Sequence, residues 1–171
     1  MQDIVKLLNC AGVTQVWFGS RGFDVATESE LEDMQLGYSR HPDGSDLTGT
    51  GEGDWQPGWM VVARETQLGD PFFVDTTQPQ LPVYTAMHGM GSWSADEVAT
   101  SLEAFLNTLS YLKATANQAD SLLGPIDSCI RDSELLATMS KKMVVLSGEC
   151  YYWELLVEGY QEWLDSDDED W

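Results

Sequence analysis

The chain has 171 residues, enough for one domain with an ordinary core, and its 43% hydrophobic content with seven Trp, six Tyr and five Phe argues against general disorder. Its 29 acidic residues face only 8 basic ones, a net charge of −21, which argues against nucleic acid or an anionic membrane as partner, since either needs a basic footprint. Cys10, Cys129 and Cys150, widely spaced and odd in number, suit neither a disulfide framework nor a zinc site and predict free thiols in a reducing compartment.

Ile4, Val5, Leu7 and Leu8, at helical spacing behind Asp3 and ahead of Gly12, predict a short amphipathic helix. The first residues lack a charged start followed by a long apolar core, and apolar runs such as 59–63 are too short to cross a bilayer. The expected location is therefore cytoplasmic. Residues 13–18, rich in β-branched and aromatic types, predict a strand entering a turn at Gly19-Ser20-Arg21-Gly22. Thr27, with Glu30 three positions on, predicts one or two capped helical turns over 27–33, whereas 34–39 suits neither helix nor strand. Residues 41–54, punctuated by Pro42, Gly44, Gly49, Gly51 and Gly53, predict a loop with few groups able to pack.

Residues 60–64, 72–75 and 81–87 are three strand candidates, and the short connections between them predict an antiparallel meander. Ser94-Ala95-Asp96-Glu97 has the form of a capping box, placed ahead of an apolar stripe of Val98, Leu102, Phe105, Leu106, Leu109 and Leu112. A helix carrying that stripe must cover the sheet, which gives an α+β layer architecture. Farther on, Gly124-Pro125 breaks the pattern and two helices are predicted, with a break near Ser147-Gly148. Ile126, Ile130, Leu135, Met139 and Met143 fall on one helical face, then Leu146, Cys150, Trp153, Val157, Tyr160 and Leu164 on the next. The acidic tail over 165–171 is expected to fray into solvent. The organisation is thus an α+β domain over 1–112, a helical extension over 113–164 packed on it, and the tail.

Catalysis needs a base held against a nucleophile or an ion. His41 lies in the glycine-rich loop and His88 at a strand end, and neither has a spacing that gathers zinc. Asp70 and Asp75 bracket Phe72-Phe73, but turn chemistry before Pro71 and Thr76-Thr77 explains both, and Phe72 and Phe73 occupy the positions calcium ligands would need. There is no phosphate loop, and Gly49-x-Gly51-x-Gly53 follows no strand. No catalytic residue, cofactor or metal is expected. Trp17, Trp55, Trp59 and Trp93 read first as core, with room for an aromatic anchor on an interface.

One further pattern is the order of pieces along the middle of the chain. Glu30-Leu31-Glu32-Asp33-Met34-Gln35-Leu36-Gly37-Tyr38 is followed by Trp55-x-x-x-Trp59-Met60-Val61-Val62-Ala63 and Gly69-Asp70-Pro71-Phe72-Phe73-Val74-Asp75. Pro82-Val83-Tyr84, His88-Gly89, Trp93 and the segment with Val98, Ser101, Leu102, Phe105 and Leu106 complete it. Over about 22–112 this order resembles the SUKH superfamily, named after a yeast regulator of cell-wall synthesis and shared by many bacterial toxin-immunity proteins. Family members carry a longer helix and a Leu-Pro segment ahead of this region, for which residues 1–22 are too short. The resemblance implies an α+β sheet domain that binds another protein and is not an enzyme. In bacterial relatives the partner is often a nuclease toxin domain, blocked by occlusion. A basic nuclease would be drawn to a charge of −21, and both parts of the chain contribute, with sixteen acids against four bases over 1–112 and thirteen against four beyond. The expected function is an immunity protein neutralising a basic toxin; the alternative is a regulatory or scaffold protein with an endogenous partner. Charge selects Glu28, Glu30, Glu32, Asp33, Asp54 and Trp55 as candidate contact residues, with the terminal helix beside them.

Overall fold

Phe72 and Phe73 are adjacent in one strand and both buried, and side chains alternate along a strand, so the sheet they belong to is covered on both faces. The computed structural model describes residues 1–116 and 130–168, with side chains as far as 166. Six strands form one sheet: β1 (Gln15–Phe18), β2 (Arg21–Val25), β3 (Trp59–Glu65), β4 (Pro71–Asp75), β5 (Val83–Thr85) and β6 (Asp96–Ala99). They lie in chain order with every neighbouring pair antiparallel, a meander as the short connections predict. Among the described residues four helices, α1 (Gln2–Ala11), α2 (Leu102–Thr115), α3 (Ser133–Ser147) and α4 (Tyr152–Asp168), complete an α+β fold.

On one face Phe72 meets Phe23 of β2, Phe105 of α2 and Tyr152 of α4. Leu102, Phe105, Leu106, Leu109 and Leu112 of α2 are all buried, and each such side chain removed from water contributes roughly 1.5–3 kcal/mol. The helix does not start where the Ser94 to Glu97 pattern places it. Asp96 and Glu97 belong to β6, paired with Thr85 and Tyr84, and the next two residues, Val98 and Ala99, are wholly buried in that strand. Pairing with β5 outweighs a local capping pattern. The cap is Ser101, whose Oγ accepts the Ala104 amide at 3.0 Å. In the same way β2 occupies part of the predicted turn, which shrinks to Gly19-Ser20 with Gly22 inside the strand.

Helices α3 and α4 share one continuous core with the sheet and α2. Two glycines let them close in. Gly148, which ends α3 at φ 90°, has its missing Cβ position occupied by the Thr100 side chain, and Gly19, at φ 62°, lies 2.7 Å from the ring of Tyr160 by the same measure. Tyr160 in turn stacks on Phe18 with centroids 4.1 Å apart. Met139 and Met143 of α3 are buried as expected, but at its start Leu136 is buried in place of Leu135, which is 38% exposed. At the other end α4 continues through Asp168, so residues 165–168 are helical where fraying was expected. Gly124-Pro125, Ile126, Cys129 and residues 169–171 lie outside the described residues.

The opposite face is covered by loop. Phe73 meets Trp55, Trp59 and Tyr84, and Tyr38 and Trp93 pack on Trp55. The chain is brought there by the capping box at Thr27, whose Oγ1 and amide donate to Glu30 Oε2 at 2.7 and 3.0 Å, followed by a 3-10 turn, Asp33–Gln35. The buried Gln35 reaches the sheet. Its Nε2 donates to the carbonyls of Leu31 and Val61, both at 2.8 Å, and its Oε1 accepts the Val61 amide at 2.9 Å. Residues 41–54 remain mostly exposed, as expected, but are tied by short side-chain turns such as Ser45 N to Asp43 and Thr48 N to Asp46.

Candidate functional site

The residues chosen by charge divide into three groups. Trp55 is 1% exposed, with its indole N–H donated to the Trp59 carbonyl at 3.1 Å, so it is a core residue and not a contact residue. Glu28, Glu30, Glu32 and Asp33 are exposed on the turn after β2. The hydrogen bonds from Thr27 hold the Glu30 carboxyl below its ordinary range, with Arg64 adding to the effect against a small cost of burial. Glu30 and Asp33 also line, with Asp24 and Arg64, a cleft of about 590 Å³, so some of their charge is balanced inside the protein. Asp54 is exposed and accepts the Gly51 amide at 2.9 Å, a turn-holding role.

The residues weighed for catalysis are dispersed. His41 pairs with Asp43 at 3.0 Å in the loop. His88 donates its backbone N–H to Asp70 at 2.7 Å and sets its ring edgewise against Tyr38 and Trp93. Asp75 accepts from Thr77 and Gln78, closing its own turn. Burial first, and Glu97 second, push the Cys150 thiol up, so it stays protonated at neutral pH. Among the described residues no cluster of His, Cys, Asp or Glu is gathered around a metal position.

A different place concentrates exposed apolar surface. Where the β3–β4 turn, the end of β5, the start of β6 and the first turns of α4 meet, a cleft of about 570 Å³ opens over Phe72 and Tyr152. Its rim carries Leu68 (68% exposed), Met87 (61%), Tyr151 (58%) and Leu155 (51%). Four carboxylates, Glu65, Asp70, Asp96 and Glu97, stand round it against one cation, Arg21. Two of these acids build the rim. Glu65, 7% exposed, accepts the Gln67 and Leu68 amides at 3.0 and 2.6 Å, which holds the turn that turns Leu68 outward. Asp70, through the His88 amide, holds the segment that carries Met87. Asp96 and Glu97 are exposed, and beyond the backbone pairing of β6 with β5 their side chains make no hydrogen bond or ion pair with the described residues. None of these was selected from the sequence, where the available signal was an apolar residue set in a polar turn: Leu68 between Gln67 and Gly69, Met87 before His88-Gly89.

Tyr152 in the cleft wall has its phenol pushed up chiefly by burial, with Arg21 opposing and Glu65 and Asp70 assisting; Tyr38 is raised by burial as well. A raised phenol favours the neutral form in the fold. Its contribution is complete below the ordinary tyrosine value of about 10 and is lost as pH climbs toward the folded value. Stability is therefore expected to fall above about pH 10, and Tyr152→Phe to lessen that fall, as denaturant midpoints measured up the alkaline range would show.

No family model, curated protein or solved structure matches the chain. Among the described residues no helix is long and apolar enough to cross a membrane.

Proposed function

We propose that this chain is a non-catalytic protein-binding domain of SUKH type, a cytoplasmic immunity protein that neutralises a basic toxin domain by covering the surface with which that toxin holds its polyanionic substrate. The observation that carries this reading is the unspent negative charge. The chain bears a net −21, and among the described residues the one close contact between a basic side chain and a carboxylate is His41 with Asp43, which is an ion pair only when the imidazole is protonated. A surface so charged speeds encounter with a basic partner and presents it with the field of its own substrate. The turn bearing Glu28, Glu32 and Asp33 supplies part of that field, and the rim acids Asp96 and Glu97 another part.

Affinity capture from the source cell tests the reading. A protein with a strongly basic domain is expected to be retained, and its affinity to fall by about tenfold or more between low salt and roughly 0.5 M salt, as exposed charge pairs are screened. Retention of a neutral or acidic partner with salt-independent affinity would overturn it.

A further inference from the structure

We infer that the cleft between the β3–β4 turn and α4 is the docking site, and that its occupant is a partner segment bearing an apolar side chain flanked by lysine or arginine. The inference rests on the reading of the chain as a binder of a basic protein and says where and by what chemistry the binding occurs. A docking anchor needs apolar surface that water leaves on binding, surrounded by groups that fix orientation. The turn with Glu28 to Asp33 has its own apolar residues Leu31 and Met34 buried, 3% and 5% exposed, and the apolar cleft that Glu28 borders with the exposed Met1 sets a single carboxylate against Lys6. That surface has no excess of negative charge with which to orient a basic segment. The cleft beside α4 has both elements. Leu68, Met87, Tyr151 and Leu155 face solvent around the buried Phe72, an apolar patch that a monomer has no internal reason to display.

Charge selects the occupant. The side chains of Asp96 and Glu97 line the β6 side without a hydrogen bond or ion pair to the described residues, and Arg21 belongs to β2, four strands away in the order of the sheet. A cation beside the apolar anchor thus gains on the β6 side and loses near Arg21, which fixes the direction in which the segment lies. An acidic segment is repelled by four carboxylates.

The probe is a synthetic peptide of about fourteen residues with leucines spaced three and four apart and lysines beside them, compared with versions carrying serine for leucine or glutamate for lysine. With methyl-labelled methionine, the leucine–lysine peptide is expected to move the Met87 signal and leave that of the buried Met143 in place. Leu155→Ser is expected to weaken it about tenfold, and Asp96→Asn with Glu97→Gln about threefold at low salt. Glu28→Gln with Glu32→Gln should change it by less than about twofold. An unmoved Met87 signal, or equal binding to Leu155→Ser and wild type, overturns the inference. Repeating the variants with the captured basic protein separates the two claims. If Leu155→Ser retains that protein undiminished, the cleft assignment fails while the function stands; if no basic protein is captured but the peptide binds at the cleft, the reverse holds.

Discussion

Replacing Trp153 by alanine is expected to lower the free energy of unfolding by about 3–5 kcal/mol, a large share of the roughly 5–15 kcal/mol that holds a domain folded. The side chain is wholly buried, with its ring 6.0 Å from that of Phe23 and 6.2 Å from that of Phe105, measured between centroids. It also closes an edge. β6 is the last strand of the sheet, and a strand with one bare side is an invitation to unwanted pairing. Here the Val98 carbonyl accepts the Trp153 indole N–H at 2.8 Å, and the Thr100 amide donates to the Ser147 carbonyl at 2.9 Å, so the extension supplies polar partners to that edge. Phenylalanine at 153 separates packing from polar pairing: it keeps most of the buried ring but strips the carbonyl of its donor, for an expected loss of about 1–3 kcal/mol. Denaturant unfolding of the two variants measures both quantities. An alanine variant within about 1 kcal/mol of wild type would mean that α4 unfolds apart from the sheet.

The parts of the fold legible in the sequence were those in which one local pattern met no rival. Leu102 to Leu112 repeats at helical spacing, and the strands on either side of Gly69-Asp70 are bounded by turn residues, so both were placed correctly. Where two patterns competed, the longer-range one won. Ser94-Ala95-Asp96-Glu97 satisfies a capping rule, yet Val98 and Ala99 bury completely only if the segment pairs with β5, and four residues of apolar or paired strand outweigh one reciprocal cap. Arg21-Gly22 reads as a turn because glycine weakens a strand, but Gly22 admits the Trp17 ring and the Thr66 methyl, at 2.9 Å each from where a Cβ would sit.

The site was less legible than the fold for a physical reason. Charge is visible in a sequence, but exposure is not, and Trp55 shows the difference: an aromatic residue beside an acid in a glycine-rich loop suits an interface, whereas the fold folds that loop back over Phe73 and buries it. Conversely Leu68, Met87 and Leu155 come from segments far apart in the chain, and only the docking of α4 beside the ends of β3 and β5 makes them one rim. Separation in sequence hides such a patch from any reading of periodicity.

The second large effect is expected at Gln35, where leucine, close in size but without polar atoms, should cost about 2–5 kcal/mol. The pairing of β2 with β3 ends at Val25 and Ala63, the Ala26 amide reaches the Val62 carbonyl at 2.9 Å, and on its other side β3 shifts register against β4 between Val61 and Ala63. Beyond that point the Gln35 amide serves both the N–H and the carbonyl of Val61, as a further residue of β2 would have done. Val61 is fully buried, so with leucine at 35 both groups lose their partner where water does not replace it. Glutamate at 35 gives a sharper test. Its carboxylate can accept the Val61 amide but faces two carbonyl oxygens, so the charged form is disfavoured and its folded pKa is raised above the unfolded value of about 4.3. By linkage the variant is least impaired below that unfolded value and loses stability as pH rises through the folded one, whereas the leucine variant's deficit is independent of pH. If both variants lose the same stability at all pH values, the Gln35 contribution is packing and not pairing. Matching their deficits from about pH 4 to about pH 7 therefore decides whether the loop layer over Phe73 is joined to the sheet by hydrogen bonds or rests on it by contact alone.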